Sequence, residues 1–444
     1  MLGWDPRRLA QAAGADLLRE GAAGGGPSRA VVDSRAVAPG DLFIGLAGEH
    51  VDGGAFAAEA LEAGAWGILV APGRAADLPG AGAVLAAEDP LAALHALARS
   101  WRRELGAAVI GVTGSVGKTS TKDLIVAMVG PHRATVASRE NLNTEIGLPL
   151  ELLAAPAGTE VLVLELAMRG AGQIAELTAI CEPDVGVITN IGPVHLQQLG
   201  SLAGIARAKG ELLDGMRDGA TAVVPHGEPL LAGSLRPGLE VVTFGGSHAD
   251  VAWEQAGRVA RAGRERLEVE LPFRSGPQLT NALAALAAAC AVGVRPSGRI
   301  EVTLSPLRGQ RISLTRPPGA VVINDCYNAS PPSMRAALDE LRLQAPEGRR
   351  VAVLGDMLEL GPEELAMHRE IGAHAAAAEV DVLVAVGPRA AAMLETFGGE
   401  AHAVADAAAA GALAAELIGP GDLVLVKASN GVGLWTVAEK LIAA

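Results

Sequence analysis

The sequence predicts an α/β protein of three domains, over residues 1–106, 107–311 and 312–444. Three observations carry that expectation. A chain of 444 residues is too long for one hydrophobic core. Apolar β-rich runs alternate with helical runs along most of it, the pattern of parallel sheets covered on both faces. The alternation also changes character twice, after Gly106 and across the Pro/Gly/Arg-rich passage from Ser305 to Arg311, which reads as a domain hinge.

In the first region the short strand-like runs VVDSR and DLFIGL alternate with Ala-rich helical runs such as AFAAEALEAGA. Pro90 to Leu105 predicts an amphipathic helix, with Pro in its first turn and basic residues near its end. In the second region AAVIGV, VLVLEL, DVGVITN and TAVVP predict parallel strands, and Leu239 to Phe273 predicts an antiparallel excursion before a helix over Asn281–Val292. In the third, AVVIND, RVAVLGD, DVLVAVG and DLVLVKAS predict strands, with a last helix near Gly433 to Ala444.

Composition narrows the function classes. Half of the residues are hydrophobic and the mean hydropathy is +0.31, which excludes a largely disordered chain. With 5 Phe, 5 Trp and 1 Tyr, the cores must be built from Ala, Val, Leu and Ile. A net charge of −14 argues against a broad nucleic-acid surface but allows a small basic pocket for phosphates. Cys181, Cys290 and Cys326 have no spacing that predicts a disulfide framework or a zinc site, and the first two read as core. The start, MLGWDPRRLA, lacks the apolar run of a signal peptide, and the longest apolar run, Ala282 to Val294, is short for a membrane span. A cytoplasmic protein without stable membrane insertion is expected.

GVTGSVGKTSTK, Gly111 to Lys122, is the most specific local signal. It follows an apolar strand and opens a helix, the setting of a phosphate-binding loop. Gly114 and Gly117 let successive backbone N–H groups around Ser115 and Val116 point at an anion, with Ser120 on the helix side. Lys118 is placed to neutralise the β- and γ-phosphates, and the Thr119 hydroxyl to meet magnesium. The helix N-terminus adds partial positive charge. Val112 stands where the general form G-x-x-x-x-G-K-T has its first Gly. A nucleoside triphosphate is expected here; a glycine-rich turn with a solvated lysine is the bland alternative.

TGSVGKTSTK also resembles the ATP loop of the Mur ligase family, amide-forming enzymes of peptidoglycan precursor synthesis. Other motifs similar to that family follow in order. DSRAVAPGDLFIGLAGEHVDGGAF (Asp33 to Phe56) resembles its UDP-sugar-binding domain. NLNTEIGLP (Asn141 to Pro149), ITNIGPVHL (Ile188 to Leu196) and ARAKGELL (Ala206 to Leu213) resemble its central domain. NDCYNASPPSMRAALDEL (Asn324 to Leu341) and VLGDMLELG (Val353 to Gly361) resemble the branch that adds D-Ala-D-Ala, and no DNPR-like diaminopimelate motif stands at that place. The resemblance implies a UDP-substrate domain, a P-loop ATPase-like domain and a Rossmann-like domain. It implies that a monomer converts ATP, UDP-MurNAc-tripeptide and D-Ala-D-Ala, with Mg2+, to UDP-MurNAc-pentapeptide, ADP and phosphate, without a nucleic-acid partner. Lysine- or diaminopimelate-adding ligases, and a P-loop ATPase without ligation, are the rival readings. Either lysine or diaminopimelate fits the third position of the tripeptide.

The resemblance also assigns residues. Glu165 and His195 match magnesium ligands, and Lys209 matches a lysine carried as a carbamate, which would make it an anionic oxygen ligand beside Thr119 and Glu165. The corresponding bland readings are a solvent-facing strand end, a satisfied polar residue and a surface lysine. Asn281 resembles an adenine-contacting Asn and also fits a helix N-cap. Asp325 and Asp356 are expected to contact ATP from the third domain, with Tyr327 and Asn328 facing the acceptor. Ser34 and Arg35 match the UDP-sugar site, and Asn143 and Thr144 the muramoyl part; Arg35 could instead pair with Asp33 or Asp41. The family's Gly-Arg hinge is stretched here to RGQR, so Arg311 is assigned to ATP with Arg308 as the alternative. Further departures are Gly54 near a usual His, Cys326 for Ser, Ser330 for Asn, and KASNGVGLW (Lys427 to Trp435) for K-G-S-R-x-M.

Overall fold

Mostly apolar strands of two to six residues, separated by Ala- and Leu-rich helices, assemble into three sheets. The computed structural model describes every residue except 1–2, 22–24, 49, 140–141, 195, 274–275, 304 and 444. The first sheet holds β1 (Asp16–Arg19), β2 (Ala30–Val31), β3 (Leu42–Ile44), β4 (Gly67–Val70) and β5 (Ala83–Ala86). Its order is β1-β5-β4-β3-β2, parallel except for β1 against β5. The helix expected over Pro90–Leu105 spans those residues, capped by Asp89 and ended by Gly106 in the left-handed region. Its buried Leu94, Leu97 and Trp101 share one core with Leu148, Leu152 and Ile180 of the next domain. One apolar stripe therefore ties the first two domains together.

The second sheet holds β6 (Ala108–Thr113), β7 (Thr135–Ala137), β8 (Val161–Glu165), β9 (Val185–Ile188), β10 (Thr221–Pro225), β11 (Glu240–Gly245), β12 (Val251–Gln255), β13 (Val259–Ala262), β14 (Glu265–Glu270) and β15 (Gly298–Arg299). The order is β15-β14-β13-β12-β11-β10-β9-β6-β8-β7. The antiparallel excursion expected from Leu239 begins later than that: β11 runs parallel to both β10 and β12, and only β12–β13 and β13–β14 are antiparallel. The connection between β10 and β11 is long enough for a crossover, whereas the tight turns after β12 and β13 force reversal. Strand β6 lies between β8 and β9, so the chain changes direction across the sheet at its carboxyl end, where α/β sheets open a crevice. Helix Lys118–Val129 leaves that crevice and packs on helix Pro277–Ala291, with Leu124, Ile125 and Met128 against an Ala-rich face.

The third sheet holds β16 (Gln310–Ser313), β17 (Val321–Asn324), β18 (Arg350–Gly355), β19 (Val382–Val386), β20 (Glu400–Val404) and β21 (Leu423–Lys427), in the order β16-β17-β21-β18-β19-β20. All neighbours are parallel except β16 and β17. The boundary expected after residue 311 falls inside β16, whose Arg311 pairs with Ile323 of β17. The hinge before it is tied back to the second domain, since Ser305 N and Oγ donate to the Asp123 carboxylate at 2.7 and 3.1 Å. Among the described residues no helix is long and apolar enough to cross a membrane.

Candidate active site

The loop after β6 requires its glycines. Gly114 has φ +150°, and a Cβ there would lie 1.9 Å from Thr189 Oγ1. Gly117 has φ +82°, and a Cβ there would lie 2.6 Å from Asn281 Oδ1. Only residues without a side chain fit both the backbone and the space. The loop is also held from the strand behind it. Val116 N donates to Asn190 Oδ1 at 3.0 Å, and Asn190 Nδ2 and Thr189 Oγ1 donate to Val116 O at 2.9 and 2.6 Å. Ser115 Oγ donates to Gly192 O and accepts from Gly192 N. Val112, where the general motif has Gly, is buried inside β6 and lies outside the turn.

Two lysines converge on this loop. Lys118 Nζ and Lys209 Nζ donate to the same carbonyl, Gly114 O, at 3.0 and 2.9 Å. Burial lowers the pKa of Lys118, with Arg308 acting in the same direction and Glu165 opposing. Burial first, and then the Lys118 charge, hold Lys209 well below the ordinary lysine range. Lys209 is 2 % exposed, so it is not the surface lysine of its bland reading. An anion placed here would relieve both the desolvation and the like-charge repulsion.

Glu165 ends β8 and is 4 % exposed. Its carboxylate accepts from Thr119 Oγ1 at 2.6 Å and from Asn143 Nδ2 at 3.1 Å, which replaces the solvent-facing alternative. Arg308 Nη2 donates to Thr119 Oγ1 at 2.9 Å, and its guanidinium lies 3.6 Å from the centre of the Tyr327 ring. One arginine thus joins the phosphate loop to the third domain. On that side Lys427 Nζ donates to Asp325 Oδ2 at 2.6 Å and to Asn328 O at 2.9 Å, at the carboxyl ends of β17 and β21.

These groups line one cavity of about 990 Å³ between the second and third domains, large enough for a nucleotide and the end of a second substrate. Of the residues expected from the sequence, Ser115, Val116, Gly117, Lys118, Thr119, Ser120, Asn143, Thr144, Glu165, Lys209, Asn281, Asp325, Tyr327 and Asn328 line it. Thr119 and Glu165 offer hard oxygen donors, and among the described residues no group of three or more His, Cys, Asp or Glu is placed to hold a metal ion. That donor set fits magnesium completed by phosphate oxygens and water better than zinc.

Other expected residues lie elsewhere. His195 is outside the described residues. Asn281 is inside helix Pro277–Ala291, capped at Gly276, so it is not an N-cap; its amide faces Gly117. Arg311 lies in β16 and donates to Gln344 Oε1, leaving Arg308 as the hinge arginine on the cavity. Asp356 directly follows β18, outside the cavity lining, and its Oδ1 accepts from Arg389 N and Ala390 N to cap the turn after β19. Ser34 and Arg35 lie in the first domain. Arg35 is 88 % exposed and pairs with Asp33, while Arg29 takes Asp41. Cys181 is buried, with its thiol pKa pushed up to about 12 by burial, but Cys290 is only partly buried. Gln278, Glu340, Arg169 and Glu145, which the sequence does not single out, also line the cavity. They belong to ordinary polar helix and loop patterns, so nothing local marks them. Lys427 lines the cavity too, and its place at the end of an otherwise apolar strand is the sequence signal that could have marked it.

Comparison with known proteins covers the same three regions. Residues 30–101 match the family description "Mur ligase family, catalytic domain", 112–289 "Mur ligase middle domain", and 308–430 "Mur ligase, glutamate ligase domain". The UDP-N-acetylmuramoyl-tripeptide–D-alanyl-D-alanine ligase of Bacillus subtilis is 36% identical over 426 residues, covering 92% of each chain. The ligase of that name from Mycobacterium tuberculosis is 37% identical over 470 residues, covering 93% of this chain and 91% of its own. Among solved structures, MurF from Acinetobacter baumannii superposes with a TM-score of 0.86 at 29% identity, covering 100% of this chain and 99% of its own. MurF ligase from Thermotoga maritima in complex with ADP gives 0.81 at 28%, covering 94% and 97%.

Proposed function

The chain belongs to the Mur ligase family, and from that membership we propose that it joins D-Ala-D-Ala to UDP-MurNAc-tripeptide, converting ATP to ADP and phosphate. The observation that carries this reading is identity of 36–37% to ligases of that activity over more than nine-tenths of the chain. A ligase adding lysine or diaminopimelate is not favoured by those relatives, and a non-ligating ATPase would leave the first domain without a role.

A carboxylate does not react with an amine at neutral pH, because oxide is an unusable leaving group. In the proposed reaction the tripeptide carboxylate attacks the γ-phosphorus, the bond to ADP breaks, and an acyl phosphate forms. The free amine of D-Ala-D-Ala then attacks the acyl carbon, loses its proton, and phosphate leaves. Both steps gather negative charge where Lys118, Arg308 and the N-terminus of helix Lys118–Val129 converge. Asn281 beside Gly117 holds the nucleotide, with Asp325, Tyr327 and Asn328 closing the site from the third domain. Closure of the two walls keeps water from the acyl phosphate.

Thr119 and Glu165 would hold the magnesium ion, which supplies charge neutralisation at the phosphates. Burial and the neighbouring Lys118 charge lower the pKa of Lys209 and so favour its neutral amine, the form that would take up CO2, release a proton and become an anionic carbamate beside that pair. Asn143 and Thr144 position the muramoyl-peptide end, and Ser34 and Arg35 the UDP end. The reading places the chain in the cytoplasm as a monomer.

The test is to incubate the protein with ATP, magnesium, UDP-MurNAc-tripeptide and D-Ala-D-Ala, omitting each in turn. A product heavier by the dipeptide less one water, formed only in the complete mixture, is expected. Rapid phosphate release indifferent to both other substrates would overturn the reading.

A further inference from the structure

The cavity has a rim whose two charges nothing in the reaction above uses. Arg169 and Glu145 both line it, and neither side chain hydrogen-bonds or pairs with another described residue. Their backbones, by contrast, are fixed. Gln173 Oε1 accepts from Arg169 N and Gly170 N at 2.6 and 3.0 Å. Glu145 O lies 2.7 Å from His95 Nε2, on the helix that joins the first domain to the second. A backbone bond, Ala167 N to Asn143 O at 3.0 Å, zips the two loops side by side. A cation and an anion are therefore held on adjacent loops with neither charge paired to another described residue.

The position of this rim says which substrate meets it. Asn143 on one loop touches the Glu165 carboxylate, and Ala167 on the other follows two residues after Glu165. His95 places the rim on the side of the first domain, from which the UDP-linked substrate extends. The acceptor dipeptide meets the opposite wall, built from Asp325 to Asn328 and Lys427. When the terminal carboxylate of the tripeptide lies at Glu165 and Lys209, the side chain of that same residue runs along the rim.

We infer that Glu145 and Arg169 form a subsite for the side-chain terminus of the tripeptide's third residue, and that they select a terminus carrying an ammonium beside a carboxylate, as in diaminopimelate, over an ammonium alone, as in lysine. This rests on the ligase reading. Glu145 attracts the ammonium that both residues share. Arg169 attracts the carboxylate that only one carries, and repels a lone ammonium.

The experiment compares kcat/KM for two UDP-MurNAc-tripeptides differing only at the third residue, diaminopimelate or lysine, with ATP and D-Ala-D-Ala saturating. The wild-type protein should prefer diaminopimelate at least about tenfold, a difference of one charge-assisted contact. R169A should reduce that ratio to near one, R169E should invert it, and R169K should restore part of it. E145Q should weaken both substrates together, leaving the ratio. A wild-type preference for lysine would overturn the inference. So would an equal loss on both substrates in R169A, or a change confined to the KM of D-Ala-D-Ala. Failure of either tripeptide to give any product would instead sink the ligase reading itself.

Discussion

The two walls of the cavity are built by different means. The phosphate-loop wall is complete within one domain: Gly114 and Gly117 fit against Thr189 and Asn281, and Asn190 fixes Val116 from behind. The facing wall is completed across the domain junction, where Arg308 spans from Thr119 to the Tyr327 ring. The contacts that hold Lys118 and Thr119 in the first wall lie inside the second domain, whereas Asp325, Tyr327, Asn328 and Lys427 of the second wall belong to the third domain and reach the first through Arg308. Substrate-driven closure would then couple ATP use to the presence of the other substrates.

The largest expected effect comes from the prebuilt wall. Lys118→Ala should lower the rate of ligation by about 1000-fold, as expected when a group bearing on transition-state charge is removed. Thermal unfolding without added CO2, with Lys209 as the free amine, should be unchanged or improved, because a desolvated cation beside Lys209 is taken away. Initial rates and melting curves on the same preparation check both halves; a large loss of stability would break the contrast between the walls. Arg308→Ala should reduce kcat/KM for ATP by about 10- to 100-fold, and Arg308→Lys should rescue it only in part, since lysine keeps the charge but lacks the planar fork and the stacking on Tyr327.

Acid should separate the walls by stability. His368 is fully buried in the third domain, and burial holds its pKa below the ordinary imidazole value. Its Nε2 accepts from Met357 N at 3.0 Å, at the start of the segment whose Leu358 to Leu360 line the cavity. The unfolded chain takes up this proton more readily than the folded one, so stability is full above the ordinary imidazole pKa. It is lost as pH falls through that value toward the lower folded one. His368→Gln should flatten that part of the stability profile, measured by denaturant unfolding between about pH 7 and pH 5. The smallest effect belongs to Arg35, which pairs with Asp33 in solvent. Arg35→Ala should leave the melting temperature unchanged and raise the KM for UDP-MurNAc-tripeptide alone, in steady-state assays.

What the sequence disclosed follows the same division. The phosphate loop was legible because strand, glycines, lysine and helix are contiguous, and each has a local physical reason. The helix Pro90–Leu105 was legible because its proline, cap and apolar stripe are all local. Residues brought in from a distance were not. Arg308 and Arg311 look alike in RGQR, and only the pairing of β16 with β17 carries Arg311 away from the cavity. Asp356 follows an apolar strand much as Glu165 ends one, yet its carboxylate caps the turn after β19. Asn281 read as a cap because the helix pattern concealed one further turn toward Pro277. Glu145 and Arg169 have no sequence pattern, because their placement on neighbouring loops depends on one backbone bond between those loops.

The most direct test of the chemistry follows one oxygen atom. UDP-MurNAc-tripeptide labelled with oxygen-18 in its terminal carboxylate is converted with unlabelled ATP and D-Ala-D-Ala, and the released phosphate is analysed by mass. Activation of the carboxylate in the cavity between the two walls predicts one labelled oxygen in each phosphate. Phosphate free of label, with pentapeptide still formed, would contradict it.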